Sequence, residues 1–218
     1  MVAVKSVGEL SGMSFFIPKY QRGYRWTRQE VSDLLSDLAQ FLKYGHAAGV
    51  YCLQPLVVSA HLTKDQLLAR VRDTKSVEEN RRLMGDSWDV IDGQQRLTTL
   101  HILLSYLGGV PSAYGLTYET RNGSEGHIGT DGFLRRVSEL AESETAEQNI
   151  DFHHMAGCFK AIRDWFASQH PEIDRKAFRE LVLNRVKFIW CEPEEKDPVA
   201  VFKRLNIGRI PLTNADLG

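Results

Sequence analysis

The stretch Trp88-Asp89-Val90-Ile91-Asp92-Gly93-Gln94-Gln95-Arg96-Leu97-Thr98-Thr99-Leu100 joins two patterns of different period. Its first four residues are mostly apolar and predict a buried strand, which stops at the Asp-Gly pair. Beyond Arg96, leucines recur at helical spacing until Gly108-Gly109 ends the pattern. Residues 92–96 are therefore predicted to form the corner between a strand and a helix, and the rest of the chain is interpreted around that corner.

The corner carries the chemistry of an anion site. The first backbone N–H groups of a helix have no intrahelical partner and lie at the positive end of the helix dipole. Arg96 adds a planar charged group that suits phosphate oxygens, and Gly93 lets a ligand approach the backbone. Asp92 is a candidate for holding Mg²⁺ or for capping the helix, and Gln94 and Gln95 offer amides to a base, a sugar or an attacking water. A plain Asp cap with a glycine turn is the simpler alternative, but it does not explain two glutamines followed by an arginine.

The composition is that of an ordinary globular protein. The chain has 218 residues, 43% hydrophobic and 25% charged, and its 27 lysines and arginines nearly balance 28 aspartates and glutamates. Contact with nucleic acid must therefore come from a local patch and not from the charge of the whole protein. The three cysteines follow neither a disulfide nor a zinc spacing, and no segment is long enough to span a bilayer. We therefore expect a cytoplasmic protein without membrane contact.

A second informative segment, from Phe15 to Trp26, alternates aromatic with basic residues. Stacking faces next to phosphate-binding groups are typical of segments that contact DNA bases or the DNA backbone. For the two tyrosines of this segment, packing in the core is an equally open alternative. The candidate DNA-binding residues are Tyr20, Gln21, Arg22, Tyr24 and Arg25.

Trp26 is assigned to the core and not to DNA. Thr27 and Glu30 have the spacing of a capping box at a helix start, which places Trp26 opposite Val31 as a hydrophobic staple. The helix that follows has a continuous apolar face and is expected to end near Gly45.

The remaining periodicities predict a mixture of strands and helices. Pro55 lies inside the strand predicted at 51–58, so that strand is expected at a sheet edge or at a bulge. The charged stretch 61–86 is expected to be a surface excursion that contains a helix. The other predicted elements are strands at 116–121 and 186–190 and helices at 133–141, from Phe152 to before Pro171, at 177–183 and at 198–206.

These elements indicate one α+β domain over residues 1–218. Residues 1–110 would form the core with both motifs, and residues 111–218 would add a strand, a helical lobe and the segment Phe202-Lys203-Arg204-Leu205-Asn206. Thr213 and Asp216 have the spacing of a new helix start just before the sequence ends. We therefore expect the chain to be one module of a longer polypeptide.

Three stretches together resemble a known family. They are Ile17-Pro18-Lys19-Tyr20-Gln21-Arg22-Gly23-Tyr24-Arg25-Trp26, the Asp92–Leu100 part of the opening stretch, and Phe202–Asn206 with Pro211-Leu212-Thr213-Asn214-Ala215-Asp216-Leu217. In order and spacing they look like the N-terminal domain of GmrSD-type modification-dependent restriction enzymes and of the related phosphorothioate-sensing SspE proteins. Two features depart from that pattern: Gln54-Pro55 stands where a small turn is expected, and the excursion at 61–86 is longer than expected.

The resemblance implies a ParB/sulfiredoxin-like core with a mixed sheet, packed helices and a helical lobe. It implies that this core binds and hydrolyses a nucleoside triphosphate, with GTP as the expected substrate and Mg²⁺ as the expected cofactor. Double-stranded, modified DNA is the expected partner, in the setting of antiphage defence. An HNH-type nuclease domain is expected to follow in the same polypeptide, and a homo-oligomer is compatible with the sequence.

The resemblance also implies roles for individual residues, carried over where the motifs match. Asp92, Gln95 and Arg96 would be catalytic, and Asp92 would also hold the metal. The nucleotide-binding residues would be Gly93, Gln94, Arg96, Arg204 and Asn206.

Two other functions remain open at this point. In the first, the domain is a switch module that binds nucleotide or DNA without useful turnover. In the second, it is a nicking nuclease like those proposed among relatives of the ParB core. The sequence argues against the nuclease, because it shows neither a cluster of metal-binding carboxylates nor a His-rich nuclease motif.

Overall fold

The computed structural model describes residues 1–46, 48–61, 87–108, 114–119, 129–147, 149–169, 171–194 and 197–206. Within them the protein forms a six-stranded mixed sheet with helices packed on it, which confirms the predicted α+β fold. The strands are β1 (Val2–Ser6), β2 (Ser14–Ile17), β3 (Tyr51–Ala60), β4 (Ser87–Asp92), β5 (Gly115–Tyr118) and β6 (Val186–Cys191). The helices are α1 (Arg28–Tyr44), α2 (Gln94–Tyr106), α3 (Thr130–Arg135), α4 (Val137–Leu140), α5 (Ile150–Ala167), α6 (Arg175–Asn184) and α7 (Pro198–Asn206).

The sheet brings together strands from both ends of the chain, in the order β1-β6-β3-β4-β2-β5. Strands β4, β2 and β5 are parallel, whereas β3 runs antiparallel to β4 and parallel to β6. The sheet therefore spans both parts, 1–110 and 111–218, into which the sequence was divided. Because parallel strands end at the same edge, Asp92, Pro18 and Glu119 all lie at strand ends along one edge of the sheet.

Strand β3 decides between the two alternatives for Pro55. The strand lies between β6 and β4, so the expectation of an edge position is wrong. Its register with β6 shifts between Leu53 and Leu56, around the proline, so the expectation of a bulge is confirmed. A proline has no N–H to give to a ladder, and the irregular register accommodates that loss.

Strand β4 is covered on both faces. Trp88 and Val90 face the main core, which is formed with α1, α2, α5 and α6. Ile91 and Val57 belong to a smaller cluster on the other face, which Val201 of α7 completes. Successive strand residues alternate between faces, so this arrangement buries the strand from both sides. The corner that follows Asp92 is thus attached to a strand that is packed on both faces.

The signals at the start of α1 are confirmed. Both bonds of the capping box are present, and the Thr27 N–H donates to Glu30 Oε2 at 2.6 Å. Trp26 is partly buried against the main core, as assigned, and α1 ends before Gly45. The helix starts with its apolar face already fixed on the core by these local contacts.

Helices α3–α6, residues 130–184, form the helical lobe. The helix expected over 133–141 is instead two short helices, α3 and α4, separated at Arg136. Helix α5 begins at Ile150, where the Asn149 side chain accepts hydrogen bonds from the first N–H groups. It packs against both α1 and α2, so the lobe rests directly on the helix that follows the corner.

Some predicted elements lie outside the described residues. They are the excursion at 61–86, apart from His61, and the helix start at Thr213. Among the helices described here, none combines the length and the apolar character that crossing a bilayer requires.

Candidate functional site

The corner forms at the edge where the parallel strands end. Gly93 has φ 102° and ψ 4°, a left-handed conformation, and the 13-residue helix α2 starts at the next residue. Gly93 is the cap residue and has no side chain, so the expectation that Asp92 is the N-cap residue is wrong. Asp92 is instead the last residue of β4, half-buried and opposite Val57 of β3. The cap residue therefore offers no side chain to the first N–H groups of α2, and such N–H groups at a helix start suit an anion.

The corner requires glycine at position 93, and Gly93→Ala tests this. A Cβ at this position would lie 3.0 Å from Leu56 Cδ1 and 3.2 Å from the Pro55 carbonyl oxygen. The left-handed conformation alone costs a residue with a side chain about 1–2 kcal/mol. We expect Gly93→Ala to lower the free energy of unfolding by about 2 kcal/mol, measured by urea denaturation.

Gly157→Ala is the matched control. Gly157 lies on the exposed face of α5, and a Cβ there would meet nothing within 4 Å. Alanine inside a helix is favoured over glycine by up to about 1 kcal/mol, so this variant should be slightly more stable than the parent. Equal stability of Gly93→Ala and the parent would contradict the requirement for a left-handed residue.

Gln95 ties the corner to the loop that precedes α1. Its Oε1 accepts hydrogen bonds from the N–H groups of Arg25 at 2.8 Å and Trp26 at 3.3 Å. Its Nε2 donates to the Gly23 carbonyl at 2.9 Å. The side chain is 8% exposed, so these bonds are made away from solvent. The amide that was predicted to position a water thus holds the backbone of residues 18–26, which we call the motif loop.

Gln94 and Arg96 are placed differently from Gln95. The Gln94 side chain is 7% exposed, and its amide makes no hydrogen bond to any residue that the structure describes. Arg96 is half-buried, and its Nη2 donates to the Pro55 carbonyl at 3.3 Å. Both side chains belong to residues of the first turn of α2. An amide and a permanent positive charge therefore lie beside the N–H groups of that turn.

The motif loop is largely built into the core. Tyr24 is 0% exposed, and its hydroxyl lies 2.8 Å from Thr99 Oγ1 on α2, so the core alternative holds and its assignment to DNA is corrected. Burial raises the pKa of Tyr24 well above its usual value, and the hydroxyl stays protonated. Gln21 is 6% exposed and donates through Nε2 to the Val90 carbonyl, which fixes the loop to β4. A DNA duplex cannot reach these two side chains in this arrangement.

Arg25 is also held inside the protein. Its Nη1 lies 2.5 Å from Asp151 Oδ1 of α5 and donates to the Tyr24 carbonyl at 2.6 Å. The Arg25 side chain is 34% exposed and that of Asp151 is 0% exposed. An arginine in a paired, partly buried position has little freedom to contact a phosphate. Arg25 therefore supports the fold through Asp151, and its assignment to DNA stays a prediction.

Tyr20 and Arg22 keep some access to the surface. Arg22 is exposed, whereas Tyr20 is half-buried, with its ring centroid 5.5 Å from that of Phe202 on α7. Burial, together with the charges of nearby Asp89 and Asp197, raises the pKa of Tyr20 to about 12. Its hydroxyl therefore stays protonated at neutral pH, and the exposed positive charges of this loop are those of Lys19 and Arg22.

The C-terminal residues of the predicted site lie on α7. Val201 and Phe202 attach this helix to β4 and to Tyr20. Arg204 is exposed in its last turn, and Asn206 is its last residue. The structure thus brings the Phe202–Asn206 part of the third motif next to the motif loop.

Asp151 is the residue that the sequence interpretation missed. It lies under the motif loop, and its carboxylate is completely buried. One signal was available: Asp151 shares a helix face with Met155, Cys158 and Ile162, all of which are buried. A carboxylate on the apolar face of a helix needs a cationic partner, and the sequence does not show which one.

The described residues contain no group of three or more His, Cys, Asp or Glu side chains that could hold a metal ion. A Mg²⁺ ion that arrives with a triphosphate needs only one or two protein carboxylates. Asp92, half-buried at the strand end beside α2, fits that lesser requirement.

These features define an α+β domain in which hydrogen bonds join a polar strand-to-helix corner to the motif loop. The chain belongs to the family of N-terminal domains of GmrSD restriction endonucleases, whose family model matches residues 5–217. This match covers nearly the whole chain and confirms the resemblance of the three motifs. The domain is therefore a module of a restriction endonuclease family that acts on DNA. Comparison with curated proteins gives no match.

Proposed function

We propose that this domain binds and hydrolyses a nucleoside triphosphate, GTP in the first instance, at the corner formed by residues 92–96. The observation that supports the proposal is the start of α2: its cap residue Gly93 has no side chain, the buried Gln94 amide makes no hydrogen bond to a described residue, and the Arg96 guanidinium belongs to the same turn. A helix start with these neighbours suits a phosphate chain.

Each polar group of the corner is assigned one role in hydrolysis. The first N–H groups of α2 hold phosphate oxygens, and Arg96 stabilises the negative charge that develops during phosphoryl transfer. Asp92 holds Mg²⁺, which neutralises phosphate charge when it is bound with the nucleotide. Because the Gln95 amide is bonded to the motif loop, the role of orienting the attacking water, together with Asp92, is assigned in this proposal to Gln94.

A phosphate-release assay with purified domain, GTP and Mg²⁺ tests this function directly. We expect steady release of phosphate from the parent, with GTP compared against ATP, CTP and UTP. Tight binding of a triphosphate without release would instead favour the switch module. Absence of both binding and release would overturn the proposal.

Within this enzyme family, the domain is proposed to sense modified, double-stranded DNA and to pass that signal to a nuclease domain of the full polypeptide. The same release assay, repeated with modified and unmodified duplexes, tests the sensing step. A rate that responds only to modified DNA would support it. Identical rates with both duplexes would contradict it.

The DNA contact is proposed to involve the surface around Tyr20. Lys19, Arg22 and Lys203 have exposed side chains, and the ring contact between Tyr20 and Phe202 brings their segments together. Basic side chains grouped in this way can neutralise DNA phosphates even though the whole protein is not basic.

Removing Arg22 and Tyr20 from this surface should weaken DNA binding. In the double variant Tyr20→Ala with Arg22→Ala, each lost phosphate contact should lower the slope of log affinity against log salt by about one unit. We expect a smaller slope in a filter-binding titration across salt concentrations. Arg135→Ala, which changes an exposed arginine on α3, should keep the parent slope.

The alternative, in which the motif loop contacts the nucleotide and not DNA, predicts a different result for the same double variant. If the double variant bound DNA as the parent does and lost hydrolysis, the motif loop would belong to the nucleotide site and not to the DNA surface.

A further inference from the structure

A buried carboxylate of the helical lobe, that of Asp151, contacts the motif loop. Asp151 lies in the first turn of α5, where its N–H donates to the Asn149 side chain at 3.0 Å. Its Oδ1 is 2.5 Å from Arg25 Nη1 and its side chain is 0% exposed. A carboxylate removed from water in this way depends on its charged partner, and that partner belongs to the loop.

The loop also packs tightly against Asp151 at Gly23. A Cβ on Gly23 would lie 1.9 Å from Asp151 Oδ1 and 2.5 Å from its Cγ. Glycine is therefore required for the backbone to approach the carboxylate. The loop and the start of α5 have little space in which to shift independently.

The opposite side of the same loop is held by the corner. Gln95, the second residue of α2, bonds the Gly23 carbonyl and the N–H groups of Arg25 and Trp26. The Gln95 amide of α2 thus contacts Gly23, Arg25 and Trp26. The Asp151 carboxylate of α5 contacts two of these residues, Gly23 and Arg25. A displacement of the lobe at Asp151 would be transmitted through Arg25 to the first turn of α2.

We propose that Asp151 is a positioning residue that holds the motif loop, and through Gln95 the corner, in the geometry needed for nucleotide binding. This role rests on the proposed function and extends it, because it makes the helical lobe part of the nucleotide site. Asp151 acts through Arg25, and it does not itself touch the nucleotide.

Amide hydrogen exchange provides a test that does not depend on hydrolysis. Asp151→Asn keeps the shape of the side chain and removes its charge. We expect amide exchange in residues 20–26 and in residues 97–100, the first amides of α2 that are bonded within the helix, to become about 10-fold faster or more, because loss of the Asp151 charge weakens the support of the loop. Exchange in β6 should remain at the parent rate, since that strand lies outside the Arg25 contact.

Asp164→Asn is the matched control. Asp164 lies on the same helix and pairs with Arg28 of α1 at 3.2 Å, but the pair is largely exposed. Surface pairs of this kind contribute little. Its exchange pattern should match that of the parent, and equal acceleration in both variants would overturn the specific role of Asp151.

A double-variant cycle on nucleotide binding completes the test. Arg25→Met, Asp151→Asn and their combination are compared for the Kd of a non-hydrolysable triphosphate analogue, at a temperature where circular dichroism shows each to be folded. If Asp151 acts through Arg25, each single change should raise Kd about 10-fold, and the combination should add little more. Independent, multiplying effects would overturn the proposal.

The outcomes separate this proposal from the proposed function. If the parent binds no nucleotide, the proposed function fails, and the exchange experiment still decides whether Asp151 positions the loop and corner. If the parent binds nucleotide and Asp151→Asn alters neither exchange nor Kd, the positioning role alone is wrong. If Asp151→Asn unfolds, Arg25→Lys is measured in the same exchange experiment. This variant keeps the positive charge but lacks the planar guanidinium group, and it should accelerate amide exchange in the same two segments.

Discussion

Arg96→Ala is expected to lower the turnover number for nucleoside triphosphate by about 100-fold or more. Under the proposed function, Arg96 is the permanent positive charge beside the first turn of α2, where phosphate charge develops. Loss of one such electrostatic donor typically costs catalysis on that scale. The fold should survive, because Leu97 and Leu100, which attach α2 to the core, are both 0% exposed and unchanged.

Two further variants make this result specific. Arg96→Lys keeps the charge and loses the planar fork, so its turnover should fall between those of the parent and Arg96→Ala. Arg135→Ala removes an exposed arginine of α3 and should hydrolyse triphosphate as the parent does. Hydrolysis by Arg96→Ala at the parent rate would show that the corner is a structural turn and not a catalytic one.

Acidification is expected to destabilise the domain through His101. This residue lies on α2, is 2% exposed and has no hydrogen-bond partner on either ring nitrogen among the described residues. Burial lowers the pKa of His101 to about 4, from 6.5 in the unfolded chain. The unfolded chain therefore takes up a proton below about pH 6.5, while the folded protein resists it until about pH 4. The stability due to neutral His101 is fully present above pH 6.5 and is lost as the pH falls through this window.

The difference of about 2.5 pKa units between 6.5 and 4 corresponds to about 3 kcal/mol at the acid end of the window. Urea denaturation of the parent and of His101→Leu, between pH 7.5 and pH 4, measures it. The leucine variant lacks the ionisable ring, so the gap in unfolding free energy between the two proteins should shift in its favour as the pH falls. A gap that stays constant across this range would show that His101 takes up its proton equally in the folded and unfolded states.

The local elements were largely predictable from sequence because their signals lie within a few residues of each other. The spacing of Thr27 and Glu30 predicted the capping box, and the boundaries of α7 follow from Pro198 and Asn206. The helix predicted over 133–141 fails at Arg136, where the backbone leaves the helical conformation. Pro55 shows the limit of local signals: its missing N–H excludes a regular ladder, but only the strand order decides between an edge and a bulge.

The candidate site also has a part that was predictable from neighbouring residues and a part that depends on tertiary packing. The anion corner was predictable, because a strand, a glycine and a helix follow each other in sequence and their backbone geometry is local. The roles within it were not, since Gln94 and Gln95 are adjacent and chemically identical. The packing of the motif loop against α2 occupies one amide and leaves the other without a described partner.

The sequence by itself determined the family, the α+β class and the position of the corner, because motifs and periodicities are properties of neighbouring residues. The tertiary structure decided which polar side chains support the fold and which remain for a ligand. Arg25 meets Asp151 across 126 residues, and Gln95 meets the N–H of Arg25 across 70. Burial turns such distant encounters into strong constraints, because a polar group taken out of water must find a partner wherever the fold provides one.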